Sequence, residues 1–575
     1  MVPAGAACPC NGRNALKTTR LLTVKTDLST DNAVTLSNPS ITPPFVNELD
    51  AVETTTDASP AVALHRRWFE RATPLQLAAG QWMAAAIMVF VLLCTPVMAG
   101  KRGLADITGN DGALERVALW QRSLSWLPGA ESGGRFLTLP PGAIVYTLRF
   151  GLLAMFALQA WSFWLAWNGR HVSFWRWLIG PIGAHLIMLL MVPSNADVFN
   201  YGMSGDLANT GFNPYVYPLF DFPSHPLYAY NYWVEMTTVY GPFWTDINRL
   251  LMGIVGPDPF LATLTYKIFL GAAAVALASL VYLFAKRLTG SVTLACAAGV
   301  LVAWQPNMII ETSGQAHNDP IMLLLMTAGV MLVITGGSRA IRGALVLVTA
   351  SAGIKYVTLP LLALVGLIRL SDRKAPHAPK RLLANWIVDG ITILAVLLIA
   401  FLPYWTGFGV ISEMVSEPGR NFSHPFWRFP GKLLDGLSIQ HWYYSIMRIG
   451  LQLGTVLLIA FALWRFGKIV RDGVNPEEKA EMEVTDEART LPVWTGAFLV
   501  SWTIILATLA LLPANSHSWY YTWPVVPIAL LIVWRAKSHA VAAAETQPTL
   551  PRWFWGYVAM TCVMTLIYHT TVYNF

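Results

Sequence analysis

From about residue 76 the chain alternates apolar runs, each near the ~20 residues a helix needs to cross a bilayer, with short polar or basic connections. A backbone in hydrocarbon has to satisfy its own hydrogen bonds, so this alternation predicts an all-α polytopic membrane protein. Of 575 residues 55% are hydrophobic and only 12% charged, a balance that excludes a soluble globule. We read about 13 transmembrane helices, from residues 79–98 to residues 553–569. The two runs flanking Lys355, residues 343–354 and 356–370, are short enough to form one broken hairpin. Residues 1–75 are rich in Thr, Ser, Asp, Asn and Pro without an apolar period, so they are expected to form a disordered cytoplasmic tail and not a signal peptide.

The net charge of +7 does not point to nucleic acid, because Lys and Arg sit in short blocks beside the apolar runs, where topology signals sit. With the tail inside, six basic clusters fall on the cytoplasmic face. They are Arg170/His171/Arg176, Lys286/Arg287, Arg339/Arg342, Arg373/Lys374/Lys380/Arg381, Arg465/Lys468/Arg471 and Arg535/Lys537. Loops 99–142, 195–258 and 406–441, with the turns around His317 and His517, then face outward. The first of these loops carries Lys101, Arg102, Arg116, Arg122 and Arg135 and runs against the scheme. Five cysteines, Cys8, Cys10, Cys94, Cys296 and Cys562, show neither a disulfide framework nor zinc spacing.

The polar stretch after Pro193 concentrates the chemistry. Asp197 directly follows an apolar run, where partial desolvation favours a general base. On a helix over residues 196–207, Tyr201 shares its face at i+4, while Asp206 turns to the opposite side, so the two acids would not hold one metal. Capping of that helix is the plainer alternative for Asp197, a role Ser194 or Asn195 could equally fill. Asn213 and Tyr215 lie in a Gly-Phe-Asn-Pro-Tyr turn and are candidates for sugar hydroxyls. Trp233 with Glu235 offers a ring for the C–H face of a sugar and an acceptor for its hydroxyls, and Tyr240 ends the loop at Tyr-Gly-Pro. Asp319, before Pro320, reads as a helix N-cap, whereas His317 and Asn318 stand where a helix N-terminus attracts a phosphate. Lys355 is costly between apolar runs unless it meets a cavity or an anion, with snorkelling as the alternative. His517 and Tyr520 lie at another outer turn, and Arg420, His424 and Arg428 are further cations for a leaving phosphate. Asn421-Phe422-Ser423 matches a glycosylation acceptor.

The order DVFNYGMSGDLANTGFNPYVYP, VYGPFW, QAHNDPIMLLLMTAG, SAGIKYVTLPLLAL and HSWYYTWPVVPIALL resembles the polyprenol-phosphate-mannose-dependent α-(1→6) mannosyltransferases of actinobacterial lipomannan synthesis, in the GT-C superfamily. The likeness runs from about Trp82 to the last span, so residues 76–575 form a GT-C-like transmembrane domain in this reading. It implies a cell-envelope enzyme with its site on the external face. There a sugar on polyprenyl phosphate is attacked, with inversion, by a hydroxyl of a glycan or glycolipid acceptor. It also implies Asp197 as the base, with Lys355, His317 and His517 attending the phosphate. Many GT-C enzymes carry adjacent acids in the first external loop. Here the acid follows the third span and stands apart from the next, so no metal or other cofactor is expected.

The residues agree with that chemistry on their own terms. A glycosyl phosphate brings its own leaving group, so one base and stabilisation of the departing charge suffice, without the paired acids of a hydrolase. The alternative is a secondary transporter using Asp197, Lys355, Asp389 and Arg448 as a polar pathway, but such folds show paired halves that are absent here. A third reading is a membrane ligase or scaffold that joins preassembled glycans to a lipid.

Overall fold

Polar and proline breaks inside the apolar runs decide where this chain's helices end. In the computed structural model the described residues are 71–93, 113–127, 141–169, 172–336, 340–374, 378–411, 424–434, 436–437, 439–472, 491–543 and 550–571, and all are helical, turn or irregular, with no strand among them. They lie in one unit, residues 65–575. Residues 1–70 of the expected tail, the cysteines Cys8, Cys10 and Cys94, the glycosylation acceptor, Arg420 and most of loop 99–142 fall outside the described residues, and the tail's last residues, Pro74 and Leu75, already belong to a helix.

The helices of nine residues or more are α1 (Pro74–Leu93), α2 (Ala113–Ser123), α3 (Pro141–Trp167), α4 (Ile179–Met188), α5 (Asp197–Asn209), α6 (Pro242–Val255), α7 (Pro259–Thr289), α8 (Val292–Ala303) and α9 (Asp319–Gly336). They continue with α10 (Ile341–Ala352), α11 (Leu359–Leu367), α12 (Ala378–Phe401), α13 (Pro425–Leu433), α14 (Gln440–Asp472), α15 (Thr495–Leu511), α16 (Val525–Ala543) and α17 (Arg552–Thr571). Among the described residues six helices are long and apolar enough to cross a membrane, or seven if the segments Val292–Ala303 and Pro306–Gly314, bent by 55°, count as one. The thirteen expected spans are therefore not matched by length and composition. Several apolar runs are broken: the run over residues 175–192 is split between the short helix Phe174–Trp177 and the ten-residue α4, and the run after Val292 stops at Trp304 because Pro306 cannot continue an α-helix.

α7 forms the centre, packed against α8, α9 and α16. Its Gly-Ala-Ala-Ala stretch at residues 271–274, with the Ala-rich α8, lets backbones approach closely, which is how helices associate where no hydrophobic force acts between them. The Asp258 carboxylate accepts from the Leu261 N–H at 2.7 Å to start α7. Gly290, at φ 67°, ends it, and Ser291 caps α8.

The break after α4 shapes everything downstream. An unwound backbone leaves carbonyls without helical partners, and buried ones must find donors. The fully buried Lys267 of α7 donates to the Leu189 and Met191 carbonyls, and the Trp120 indole to the Leu190 carbonyl at 3.0 Å. Arg116, also fully buried, donates to the carbonyls of Pro193 at 3.1 Å, Ser194 at 3.2 Å and Tyr230 at 3.0 Å. Arg116 therefore pins the loop from inside, which explains one of the basic residues that ran against the topology scheme.

Candidate active site

Asp197 opens α5, but its carboxylate does not cap the helix. Asn195 accepts the Asp197 N–H on its side-chain oxygen at 2.8 Å, and no side-chain cap forms at Ala196. The carboxylate, in a residue only 8% exposed, is left to receive other donors. Oδ1 accepts from the Trp233 indole at 3.1 Å and Oδ2 from the Tyr240 hydroxyl at 2.9 Å. The Tyr201 hydroxyl lies 3.4 Å from Oδ2 and 3.2 Å from the Tyr240 oxygen. Burial, with the Asp197 charge next, holds both tyrosines well above the usual phenol range, so they remain donors. An ionised carboxylate has about four acceptor positions, so at least one stays open to a ligand proton.

A cavity of about 260 Å³ meets this carboxylate, lined among others by Asn200, Trp233, Tyr240, Lys355, His517 and Trp519. That is just under the ~300–1,000 Å³ of typical ligand pockets and suits one sugar ring with its attached group. Two glycines set its register. A side chain at Gly241 would overlap the Gly353 carbonyl, and in its absence the Gly241 N–H donates to the Ile354 carbonyl at 3.2 Å and the Phe243 N–H to the Gly353 carbonyl at 3.0 Å. The Tyr-Gly-Pro and Gly-Ile-Lys motifs thus touch backbone to backbone, which puts Lys355 Nζ 5.9 Å from the Tyr240 ring.

Lys355 is neither free nor snorkelling. Its ammonium donates to both Asp319 oxygens, at 2.9 and 2.8 Å, and Oδ1 of Asp319 also accepts from the Trp523 indole at 2.6 Å. Asp319 is therefore the first helical residue of α9 and the counter-ion of Lys355, where capping alone was expected. His517 Nδ1 lies 2.7 Å from the Tyr568 hydroxyl. Burial, then the proximity of His317 and Lys355, lowers its pKa to about 3, so the ring is neutral and presents a donor or acceptor without net charge. Trp519 is stacked between the rings of His317, at 3.9 Å, and His517, at 4.3 Å.

Of the residues singled out from sequence, Asp197, Trp233, Tyr240, Lys355, His517 and Tyr520 line the cavity. Tyr201 stands behind Asp197. His317, 1% exposed, is not in the wall; its Nε2 lies 3.7 Å from Asp197 Oδ2. Asn318 is fully buried and its amide meets no partner among the described residues. Asp206 pairs with His225 at 3.1 Å, away from the cavity. Asn213 donates to the Tyr404 carbonyl at 2.7 Å, and the Tyr215 hydroxyl to the Tyr240 carbonyl at 2.9 Å, so both brace the loop. Glu235 is exposed and the Trp233 indole turns to Asp197 instead. His424 caps α13 by accepting the Trp427 N–H at 3.4 Å. Asp389 and Arg448 do not line the cavity, and Asp389 is bound to Arg369 at 2.8 Å.

Sequence reasoning passed over Asn200, Glu311 and Trp519, and took Asn195 only as a possible cap of the helix. It also passed over Lys267, although a lone lysine inside an apolar run is a strong signal in itself.

Residues 117–371 match the family model described as Alpha-(1->6)-mannopyranosyltransferase, N-terminal domain. The chain is 24% identical over 411 residues to alpha-(1->6)-mannopyranosyltransferase A of Mycobacterium tuberculosis, covering 66% of this chain and 72% of that protein. It is 26% identical over 191 residues to alpha-(1->6)-mannopyranosyltransferase A of Corynebacterium glutamicum, covering 32% of this chain and 38% of the relative. No solved structure matches. The cavity wall at His517 and Trp519 lies beyond the family match, while Asp197, Tyr240, His317 and Lys355 fall within it. The resemblance drawn from the loop motifs is thus shown: over these residues the chain is similar to the alpha-(1->6)-mannopyranosyltransferases.

Proposed function

We propose that this protein is an integral-membrane mannosyltransferase that moves mannose from polyprenyl phosphate to a hydroxyl of a glycan or glycolipid acceptor on the external face, with inversion. The observation that carries this reading is that Asp197 and Lys355 face one cavity of sugar size.

The acceptor hydroxyl approaches Asp197, which takes its proton as the oxygen bonds to the sugar's anomeric carbon. The bond from that carbon to the phosphate oxygen breaks, and its electron pair leaves with polyprenyl phosphate. Two of the three Lys355 protons point to Asp319, and the third is available to the phosphate. Because the Lys355–Asp319 pair is neutral overall and His517 is uncharged, the departing charge meets directed donors more than net positive charge. Trp233 and Tyr240 serve twice, aligning the base and offering ring faces to the sugar.

The test uses the full-length protein in membranes with polyprenyl phosphomannose and a mannose oligomer. Wild type is expected to release polyprenyl phosphate and extend the oligomer, with an anomer opposite to the donor's and without sensitivity to chelators. Asp197→Asn is expected to lose about 10²–10⁴-fold in kcat, the usual share of a general base. A folded Asp197→Asn variant with wild-type turnover, or solute uptake without glycan product, would overturn the reading.

A further inference from the structure

A second buried acid stands next to the base, outside the cavity wall. Glu311, 4% exposed, sits in a π-helical turn, Ile310–Gly314, that prolongs the bent α8 segment. Its Oε1 accepts a 2.5 Å bond from the Ser518 hydroxyl, and its Oε2 lies 3.1 Å from His317 Nδ1. The other ring nitrogen, Nε2, lies 2.9 Å from Asn195 Nδ2 and 3.7 Å from Asp197 Oδ2.

The tautomer of His317 follows from its neighbours. The Asn195 oxygen is held by the Asp197 N–H, so its NH₂ end must face the imidazole. Nε2 is then the acceptor and the ring proton is on Nδ1, which lies 3.1 Å from the Glu311 carboxylate as a charge contact, not as an aligned hydrogen bond. The backbone is distorted to make this arrangement. π turns are rare and gather at functional sites, and Ala316, just before His317, is the one described non-glycine residue with positive φ, at 63°. The Gln315 side-chain oxygen meanwhile accepts from the backbone of Ser194 at 2.8 Å and of Asn195 at 3.2 Å, tying this turn to the start of α5.

We propose that Glu311 and His317 form a proton relay behind Asp197, with Glu311 as the positioning residue that keeps the His317 Nε2 lone pair directed at the base. This rests on the transfer reading above. Once Asp197 has taken the acceptor's proton, its Oδ2–H displaces the Asn195 amide from Nε2. The 3.7 Å gap closes by roughly 0.7 Å to hydrogen-bond range. The proton passes to Nε2, Asp197 is again an anion, and the imidazolium is held by Glu311. The relay returns to rest when Nε2 gives the proton to water or to the departing phosphate. No electrons are exchanged. The other charged or titratable groups near the ring are the Lys355–Asp319 pair, His517 across Trp519, and Tyr201 and Tyr240 on Asp197.

Full-length protein in lipid nanodiscs tests this with polyprenyl phosphomannose and a mannose oligomer. Glu311→Gln keeps the shape but offers an amide N–H to Nδ1, which moves the ring proton to Nε2 and blocks acceptance. The expected result is a kcat lower by about 10–100-fold, short of the loss of the base itself, with KM for both substrates unchanged. A larger solvent deuterium effect on kcat is also expected, as is Glu311→Gln/His317→Gln being no slower than His317→Gln alone. Ser518→Ala, which only loosens Glu311, lowers kcat several-fold with the same split, and it decides the matter if Glu311→Gln does not fold. Wild-type kcat in either variant, or a loss confined to KM, overturns the relay. Wild type without any transfer would instead overturn the transferase reading.

Discussion

The Asp197 carboxylate is left out of helix capping because Asn195, two residues earlier, takes the first free N–H of the helix. It then faces three neutral donors, Trp233, Tyr240 and Tyr201, which orient it without pairing it to a cation. His517 gives a measurable signature of the same cavity. Its pKa falls from 6.5 to about 3 on folding, so the fold favours the neutral ring. The contribution is present in full above pH 6.5 and is lost as pH falls from there toward 3, where the unfolded chain binds a proton that the folded one refuses. Thermal unfolding in nanodiscs should show wild type losing stability below pH 6.5 more steeply than His517→Gln. Equal slopes would mean that the ring is not desolvated.

Among the elements, the approach of Gly241 to Gly353 aligns the loop carrying Tyr240 with the turn carrying Lys355. Gly241→Ala forces a methyl group against a carbonyl, a clash that overpacking experience puts at about 1–3 kcal/mol. We expect a lower unfolding temperature and reduced turnover together, read by thermal shift and by transfer assay. Unchanged values for both would show that the two turns are not held in contact. The unwound end of α4 works in the same way. Lys267, Trp120 and Arg116 satisfy its carbonyls, and in doing so they fix where α5 begins. None of this pairing is visible in the order of residues, because the partners lie 70 to 78 positions apart. The helix ends at Asp258, Gly290 and Ser291, by contrast, are made locally, within a few residues of the caps themselves.

For the molecule as a whole, burial is uneven. Half or slightly more of each of the four spans α1, α3, α7 and α9 is buried, against 11% for α12 and α14. The outward faces of those two helices carry Ile391, Leu394, Leu398, Leu457 and Phe461, all exposed. In a bilayer these side chains belong against acyl chains. A spin label at Leu394→Cys or Leu457→Cys, in a background without native cysteines, is therefore expected to collide more with oxygen than with an aqueous nickel chelate. The reverse order would place these helices against water.

Membrane class and helical content were readable from the order of residues, because bilayer thickness and the helical period act through neighbours in the chain. The partners of the charged groups were not. Lys355 meets Asp319 rather than standing alone, Asp206 meets His225, and His317 turns to Glu311 and the base rather than into the cavity. Each of these outcomes depends on which helices stop early and lie side by side. A carboxylate and a cation find each other through space, across distances along the chain that no local pattern encodes.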